Sequence, residues 1–206
     1  LLQDWRLFDH FQPARPALGM FGAEDYSHAN ALWADDNGDI FFNMRHLSAL
    51  AKIKGDPLDP AFGEIIWRIS GDPTELDFGM DFTMTSTAGG PVDFRQQHNP
   101  HLLPDGRLAV FDNRLTALET SRVLVMSLDE NAMTLNIDEA YEMQTHCAFQ
   151  GGAWHTPAGN PVGTCAPSGK AYEFAAGVYD QTVFEMEINC ASGFDNYIPR
   201  YRPLDL

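Results

Sequence analysis

Positive charge is the scarcest commodity in this 206-residue sequence: 13 basic side chains stand against 29 acidic ones, a formal net charge of −16. A polyanion would be repelled and no basic cluster offers local relief, which excludes nucleic acid as a partner and anionic membrane surfaces with it. Long apolar runs are absent too. Without eighteen consecutive apolar residues no transmembrane helix can form, so no membrane insertion is expected, and Leu1 opens no charged-then-apolar signal segment. Cysteine is equally sparse: Cys147, Cys165 and Cys190 lack CxxC spacing and are too few for a disulfide scaffold or a zinc knuckle. Either a Cys147–Cys165 bridge or three buried thiols satisfies these three residues. Helical periodicity is the last absence, and it leaves an all-β chain.

What is present is a series of short apolar runs between turn formers, predicting strands at Leu2–Phe8, Ala29–Ala34, Ile40–Asn43, Ala49–Lys54, Glu64–Ile69, His101–Leu103, Leu108–Asp112, Arg122–Leu128, Thr134–Glu142, Gly152–His155, Tyr172–Ala175 and Thr182–Ile188. Turns such as Asp36-Asn37-Gly38-Asp39 and Pro104-Asp105-Gly106 supply residues that tolerate positive φ. A pattern of His, Gly-containing turn, apolar strand, Arg and second apolar strand runs from His28 through Arg45 to Trp67. It recurs from His98 through Arg122 to Ile137, and more loosely from Gly151 to Met186. Four short strands per repeat is the signature of β-propeller blades, placed at residues 26–70, 94–145 and 150–190. Residues 1–25 then end a preceding blade and its connecting loop, and 197–206 begin a closing strand. Two loop-rich stretches, Gln12–Asp25 and Gly71–Asp93, interrupt the repeats. Because three blades cannot close a ring, the remaining blades are expected from another chain, a cleaved fragment or an N-terminal region.

The chemistry-bearing residues are histidines that precede strands: His28, His98 and His155. The first strand of a propeller blade lines the central channel, so these side chains would converge there although distant in sequence. A histidine-lined metal site is the competing arrangement, but no HxH, HxxxH or HExxH spacing supports it. GxSxG, P-loop and GxGxxG motifs are all missing.

The strings Asp25-Tyr-Ser-His28-Ala-Asn30, Asn43-Met-Arg45-His46, Gly63-Glu-Ile-Ile-Trp67-Arg68 and Gln97-His98…Pro104-Asp105-Gly106…Phe111-Asp112-Asn113…Ser121-Arg122 resemble the arylsulfotransferase (ASST) propeller family, with Trp5-Arg-Leu-Phe-Asp9-His10 similar to its preceding strand. The likeness spans essentially the whole chain and weakens after about Tyr141. It implies a six-bladed propeller that moves a sulfuryl group from a phenolic sulfate ester to a phenol through a sulfohistidine, with no nucleotide sulfate donor and no cofactor, in the periplasm or outside the cell. On this resemblance His28, His98 and Arg122 match catalytic positions, Gly151-Gly152-Ala153-Trp154-His155 matches the stretch holding the nucleophile, and Arg45 and Asn30 match substrate contacts.

Those residue types suit the chemistry. Sulfuryl transfer spreads charge over three non-bridging oxygens, so catalysis is mainly positioning and cationic stabilisation. Arg122 could hold two oxygens in its fork, a protonated His28 or His98 could serve the third or protonate the departing phenolate, and a neutral His155 could attack sulfur. Asp112 and Asn113 read as turn-closing side chains, and Arg45 equally as a tie between blade strands. An alternative from another class is a propeller that keeps the scaffold and serves only as a binding or structural module.

Overall fold

The structure, a computed structural model, describes residues 4–10, 25–72 and 78–188, and the chain forms two compact units, Leu1–Thr83 and Met84–Leu206. The first unit is built on one antiparallel sheet of β1 (Ala29–Ala34), β2 (Ile40–Met44), β3 (Ala49–Ile53) and β4 (Ile65–Ser70), in sequence order. Its first turn works as its composition demands: Asp35 Oδ1 accepts from the Asn37 and Asp39 backbone N–H groups, and Gly38 takes φ +80°. Strand β3 is buried along its whole length, as expected of a strand covered on both faces. One face packs Met44, Ala49, Ala51, Ile53 and Phe78 with Trp5, Leu7 and Phe42. Aromatic rings fill the other, Trp33 stacked on Phe41 and Trp67 edge-on to both Phe41 and Phe82.

The strand expected at Leu2–Phe8 does not form. Leu7–His10 is instead a short helix, α1, and residues 1–3 lie outside the described residues. The segment closes on itself, the Asp9 N–H donating to Arg6 O at 3.1 Å, while the Trp5 indole donates to Gly63 O at 2.9 Å and stacks on His10. Apolar content was the right signal and conformation the wrong one. The expected 197–206 strand, Cys190 and residues 11–24 of the first loop also fall outside the described residues.

The second unit holds two sheets. The first, in the order β5-β9-β8-β7-β6, comprises β5 (Thr83–Ser86), β6 (His98–Leu102), β7 (Leu108–Asp112), β8 (Arg122–Asp129) and β9 (Thr134–Glu142). The second runs β10 (Gly152–His155), β11 (Pro161–Cys165), β12 (Lys170–Phe174) and β13 (Thr182–Glu187). Between them Phe111, Val123, Tyr141 and Met143 meet Ala153, Cys165, Tyr172 and Phe174, all essentially without solvent contact. Each large apolar side chain so buried contributes about 1.5–3 kcal/mol.

Two strands escaped the sequence reading for stated reasons. Strand β5 is short and polar, held on β9 by Thr85 Oγ1 donating to Asn136 Oδ1 at 2.9 Å and by the Thr87 N–H on Ile137 O. Strand β11 opens on a proline and carries Gly163, both poor strand formers in isolation. Packing decides there: a Cβ on Gly163 would lie 2.4 Å from Met143 Sδ, so only glycine admits the close approach. Cys165 ends β11 bonded to Cys147, which settles the open question of that pair in favour of a disulfide.

Candidate functional site

In the first unit the functional residues gather where the start of β1 meets the end of β2. His28 sits at φ +45°, a left-handed backbone that a β-carbon disfavours, just before a register shift between Ala29 and Ala31. The Arg45 N–H donates to His28 O and the His46 N–H to Ser27 O, each at 3.2 Å, which ties the turn after β2 to this histidine. His28 Nδ1 makes a short hydrogen bond to Asp25 Oδ2, and His46 Nδ1 donates to Asp25 O at 2.7 Å. The two imidazole centroids lie 4.5 Å apart. The bond from His28 holds the Asp25 carboxyl below its usual range, and burial pushes His46 down. Beside them Asn43 Nδ2 donates to Asn30 Oδ1. The structure thus places His28 against the turn at Arg45 and His46, with Asp25 bound to both histidines and Asn30 paired with Asn43.

Donor atoms of Asp25, His28 and His46 all lie within 4.8 Å of one another, a set that could hold a cation on geometry alone. Arg45 argues against it. Its guanidinium is buried, acts electrostatically on both Asp25 and His46, and opposes a second positive charge while favouring an oxyanion.

In the second unit His98 opens β6, again at a register shift, between His98 and His101, and its neighbours Gln96 and Asn99 take φ +52° and +50°. Such non-glycine residues at positive φ are uncommon and cluster at functional sites. His98 Nδ1 lies 2.7 Å from Asn113 Oδ1, while Asn113 Nδ2 donates to both Cys147 O and Gln150 O at 2.7 Å. Carbonyls only accept, so the amide orientation is determined, and Asn113 offers the histidine an acceptor. His98 Nδ1 is therefore the donor in this bond.

His155 lies elsewhere. Asn99 Nδ2 donates to Ala153 O at 2.6 Å and the His101 ring stacks on Trp154 at 5.3 Å, so β6 and β10 run side by side in the same direction. On that alignment His155 is three residues along from His98, about 10 Å at the rise of a strand. It belongs with His101 and Trp154 in a cleft of about 550 Å³ closed by Pro104, Arg107 and Pro157. Burial first, and His101 second, lowers the His155 pKa to about 4, and its buried Nδ1 makes no hydrogen bond. A histidine depressed in the folded state makes stability fall as pH drops from about 6.5 toward about 4, because the unfolded chain binds that proton first. The melting temperature should drop between pH 7 and pH 5, and less so in His155→Gln; equal drops in thermal melts would refute this assignment.

Arg122 is not the open clamp that the sequence suggested. Its side chain is 2% exposed, with Nε donating to Asp112 Oδ2 at 2.9 Å and an Nη to Asp93 O at 2.6 Å. Asp93 also binds Arg114 and Arg95, so the arginine is one member of a buried ionic cluster. A guanidinium this deep needs counter-ions, and two carboxylates already supply them.

The family model of the arylsulfotransferases (ASST) matches residues 1–157. The chain belongs to the arylsulfotransferase family. No curated protein matches it. Among solved structures it is similar to virginiamycin B lyase from Staphylococcus aureus, at 11% identity over 80% of this chain and 42% of that one with a TM-score of 0.46. A protein from Lactobacillus plantarum is similar at 14% identity over 80% of this chain and 43% of that one, with a TM-score of 0.50. The chain therefore spans less than half the length of these structures. All-β architecture of β-propeller type, in antiparallel sheets of four or five strands, is what this arylsulfotransferase-family chain shares with the Lactobacillus plantarum protein.

Within the family-matched region lie both histidine sites, His28 with Arg45 and His98 with Asn113. Asn113 is the partner of His98 that sequence reasoning undervalued. Its signal was available: a buried asparagine two residues after a strand core must find partners for all its polar atoms.

Proposed function

We propose that this arylsulfotransferase-family chain transfers a sulfuryl group from a phenolic sulfate ester to a phenol, with His98 as the group that carries it. The observation behind this choice is the orientation of Asn113, which makes His98 Nδ1 a donor and so assigns the attack to a lone pair on Nε2. In the first step that lone pair attacks sulfur, an N–S bond forms, the S–O bond to the aryl group breaks, and the phenolate departs with a proton. In the second the acceptor phenol oxygen attacks sulfur, the N–S bond breaks and the acceptor proton is lost. Splitting one transfer in two makes the kinetics ping-pong. Within the first unit the His28–Asp25 hydrogen bond and the positive charge of Arg45 form a pairing of their own that suits an oxyanion. No nucleotide donor and no cofactor enter the scheme.

Arg122 supports the site from within the ionic cluster, and His155 belongs to the neighbouring cleft. The disulfide supports a periplasmic or secreted location, where such bonds persist. Further blades, from another chain or a cleaved fragment, are inferred to complete the propeller as the partner.

The test is to incubate the chain, with the blades that complete it, with 4-nitrophenyl sulfate and phenol. Nitrophenol release, phenyl sulfate formation and acid-labile sulfate on the tryptic segment 96–107, which holds His98, are expected. Label on segment 123–170, which holds His155, or no transfer at all, would overturn the assignment.

A further inference from the structure

A cleft is built at the far end of the strand that His98 opens. From His98, β6 runs to His101 and Leu102 and turns into β7, while β10 runs beside it to His155 and turns into β11. The two turns are closed alike. The Leu103 N–H donates to Arg107 O at 2.7 Å and the Gly106 N–H to Leu103 O at 2.9 Å, just as the Thr156 N–H donates to Asn160 O at 2.9 Å and the Gly159 N–H to Thr156 O at 2.8 Å. Gly106 and Gly159 supply the positive φ these turns require, +85° and +86°. The cleft of about 550 Å³ is therefore framed by hydrogen-bonded backbone, and its volume suits a small molecule of more than one ring.

Neutral rings dominate its walls. The His101 ring stacks on Trp154 with 26° between their planes, and Pro104 and Pro157 add apolar surface. Burial lowers the pKa of His101 and takes that of His155 to about 4, so both imidazoles are uncharged at neutral pH. His101 Nδ1 donates to Asn99 O at 3.0 Å, because a carbonyl only accepts, which leaves Nε2 as the acceptor of that neutral ring. Among the described residues nothing donates to this Nε2, and neither nitrogen of His155 makes a hydrogen bond. Charge gives an anion no hold here, since Arg107 donates to both Asp105 and Glu139, one positive charge against two negative. Nor does the cleft suit a metal ion, because among the described residues the group with metal-ligand spacing is Asp25, His28 and His46. We infer that this cleft binds an uncharged aromatic molecule of about indole size, whose N–H or O–H donates to His101 Nε2 while its ring lies among Trp154, His155 and the two prolines. His101 is three residues along β6 from His98, about 10 Å at the rise of a strand, so the inference stands whichever histidine carries the sulfuryl group.

The experiment titrates the full chain, with its completing blades, with indole, 1-methylindole and 1-naphthalenesulfonate at pH 8, read by NMR of labelled histidine rings. Indole is the probe because it has the ring and the donor but no hydroxyl to accept a sulfuryl group, so binding is read apart from turnover. It should saturate one site and move the ring signals of His101 and His155, with those of His28 and His98 unchanged. Methylation of the nitrogen removes the donor and should weaken binding about tenfold, the factor that one hydrogen bond commands. The sulfonate should give no saturable shift. His101→Phe keeps a flat ring without the acceptor, and in it indole should bind no tighter than 1-methylindole. Should that variant not fold, the comparison of indole with 1-methylindole on the unaltered protein carries the test. No saturation by indole, equal affinity for 1-methylindole, tighter binding of the sulfonate, or shifts at His98 in place of His101 would each overturn the inference. Indole bound as described in a protein with no sulfuryl transfer would uphold it while removing the sulfotransferase reading.

Discussion

Replacing His98 with alanine is expected to lower kcat for sulfuryl transfer by about 10⁴-fold or more, the scale seen when a nucleophile is deleted from a site whose other parts remain. That is about 5 kcal/mol of transition-state stabilisation. Little else should change. His98 is partly exposed at the start of β6, its deletion removes the hydrogen bond to Asn113, and the two carbonyls still hold the Asn113 amide. Stability should therefore move by about 1 kcal/mol, the net worth of such a bond. Added imidazole should restore part of the rate, since the lost group is small and the space it leaves is its own shape. His155→Ala provides the contrast: its imidazole lies in the cleft with His101 and Trp154, and its loss should leave the covalent sulfate on segment 96–107 intact. A His98→Ala protein that still forms an acid-labile sulfohistidine would show that another residue carries the group.

The largest loss of stability should come from Asp112. This carboxylate has no solvent contact, and it accepts from the Arg95 N–H at 2.8 Å, the Arg114 N–H at 3.0 Å and Arg122 Nε at 2.9 Å. Around it Asp93 and Glu119 balance the charges of Arg95, Arg114 and Arg122. Alanine at 112 leaves two buried guanidiniums short of a counter-ion and two backbone donors without an acceptor. Breaking a buried pair on one side in this way costs about 3–5 kcal/mol. Since whole domains are stable by only about 5–15 kcal/mol, denaturant midpoints should fall far and expression should suffer. Asp112→Asn keeps the acceptor but not the charge and should fall between. The double variant Asp112→Ala/Arg122→Met distinguishes a structural arginine from a substrate clamp. Removing the stranded cation should regain part of the lost stability, a coupling readable in a double-mutant cycle. If the double variant is no more stable than Asp112→Ala alone, Arg122 is not the partner that Asp112 neutralises.

Both predictions depend on residues that the sequence displayed but did not explain. The Phe111-Asp112-Asn113 string reads as a strand ending in two turn-forming side chains, and Asp112 does close the turn onto the Arg114 N–H. The rest of what these residues do involves partners from 17 residues back, at Arg95, to 37 residues ahead, at Gln150. Periodicity carries no information about such pairings. The Gly151-Gly152 motif shows the same gap. Read locally it leads to His155; in the fold Gly151 lets the chain pass the Phe111 ring and aim Gln150 O at Asn113. Its beneficiary is the histidine 53 residues earlier.

The sequence by itself determined that the chain is all-β, where most strands and tight turns fall, how strongly acidic it is, and which family the repeated histidine strings resemble. These are local or summed properties: alternation, turn chemistry, net charge and motif order survive without knowing what touches what. Only the tertiary structure decided that Leu7–His10 curls into a helix, that Pro161–Cys165 is a strand, that Cys147 pairs with Cys165, that Arg122 is neutralised by buried carboxylates, and that His98 Nδ1 is held by Asn113. Each of those outcomes turns on a buried polar group or a close approach between distant segments. Whether a charge is costly, a tautomer defined or a glycine required depends on neighbours that the chain order does not name.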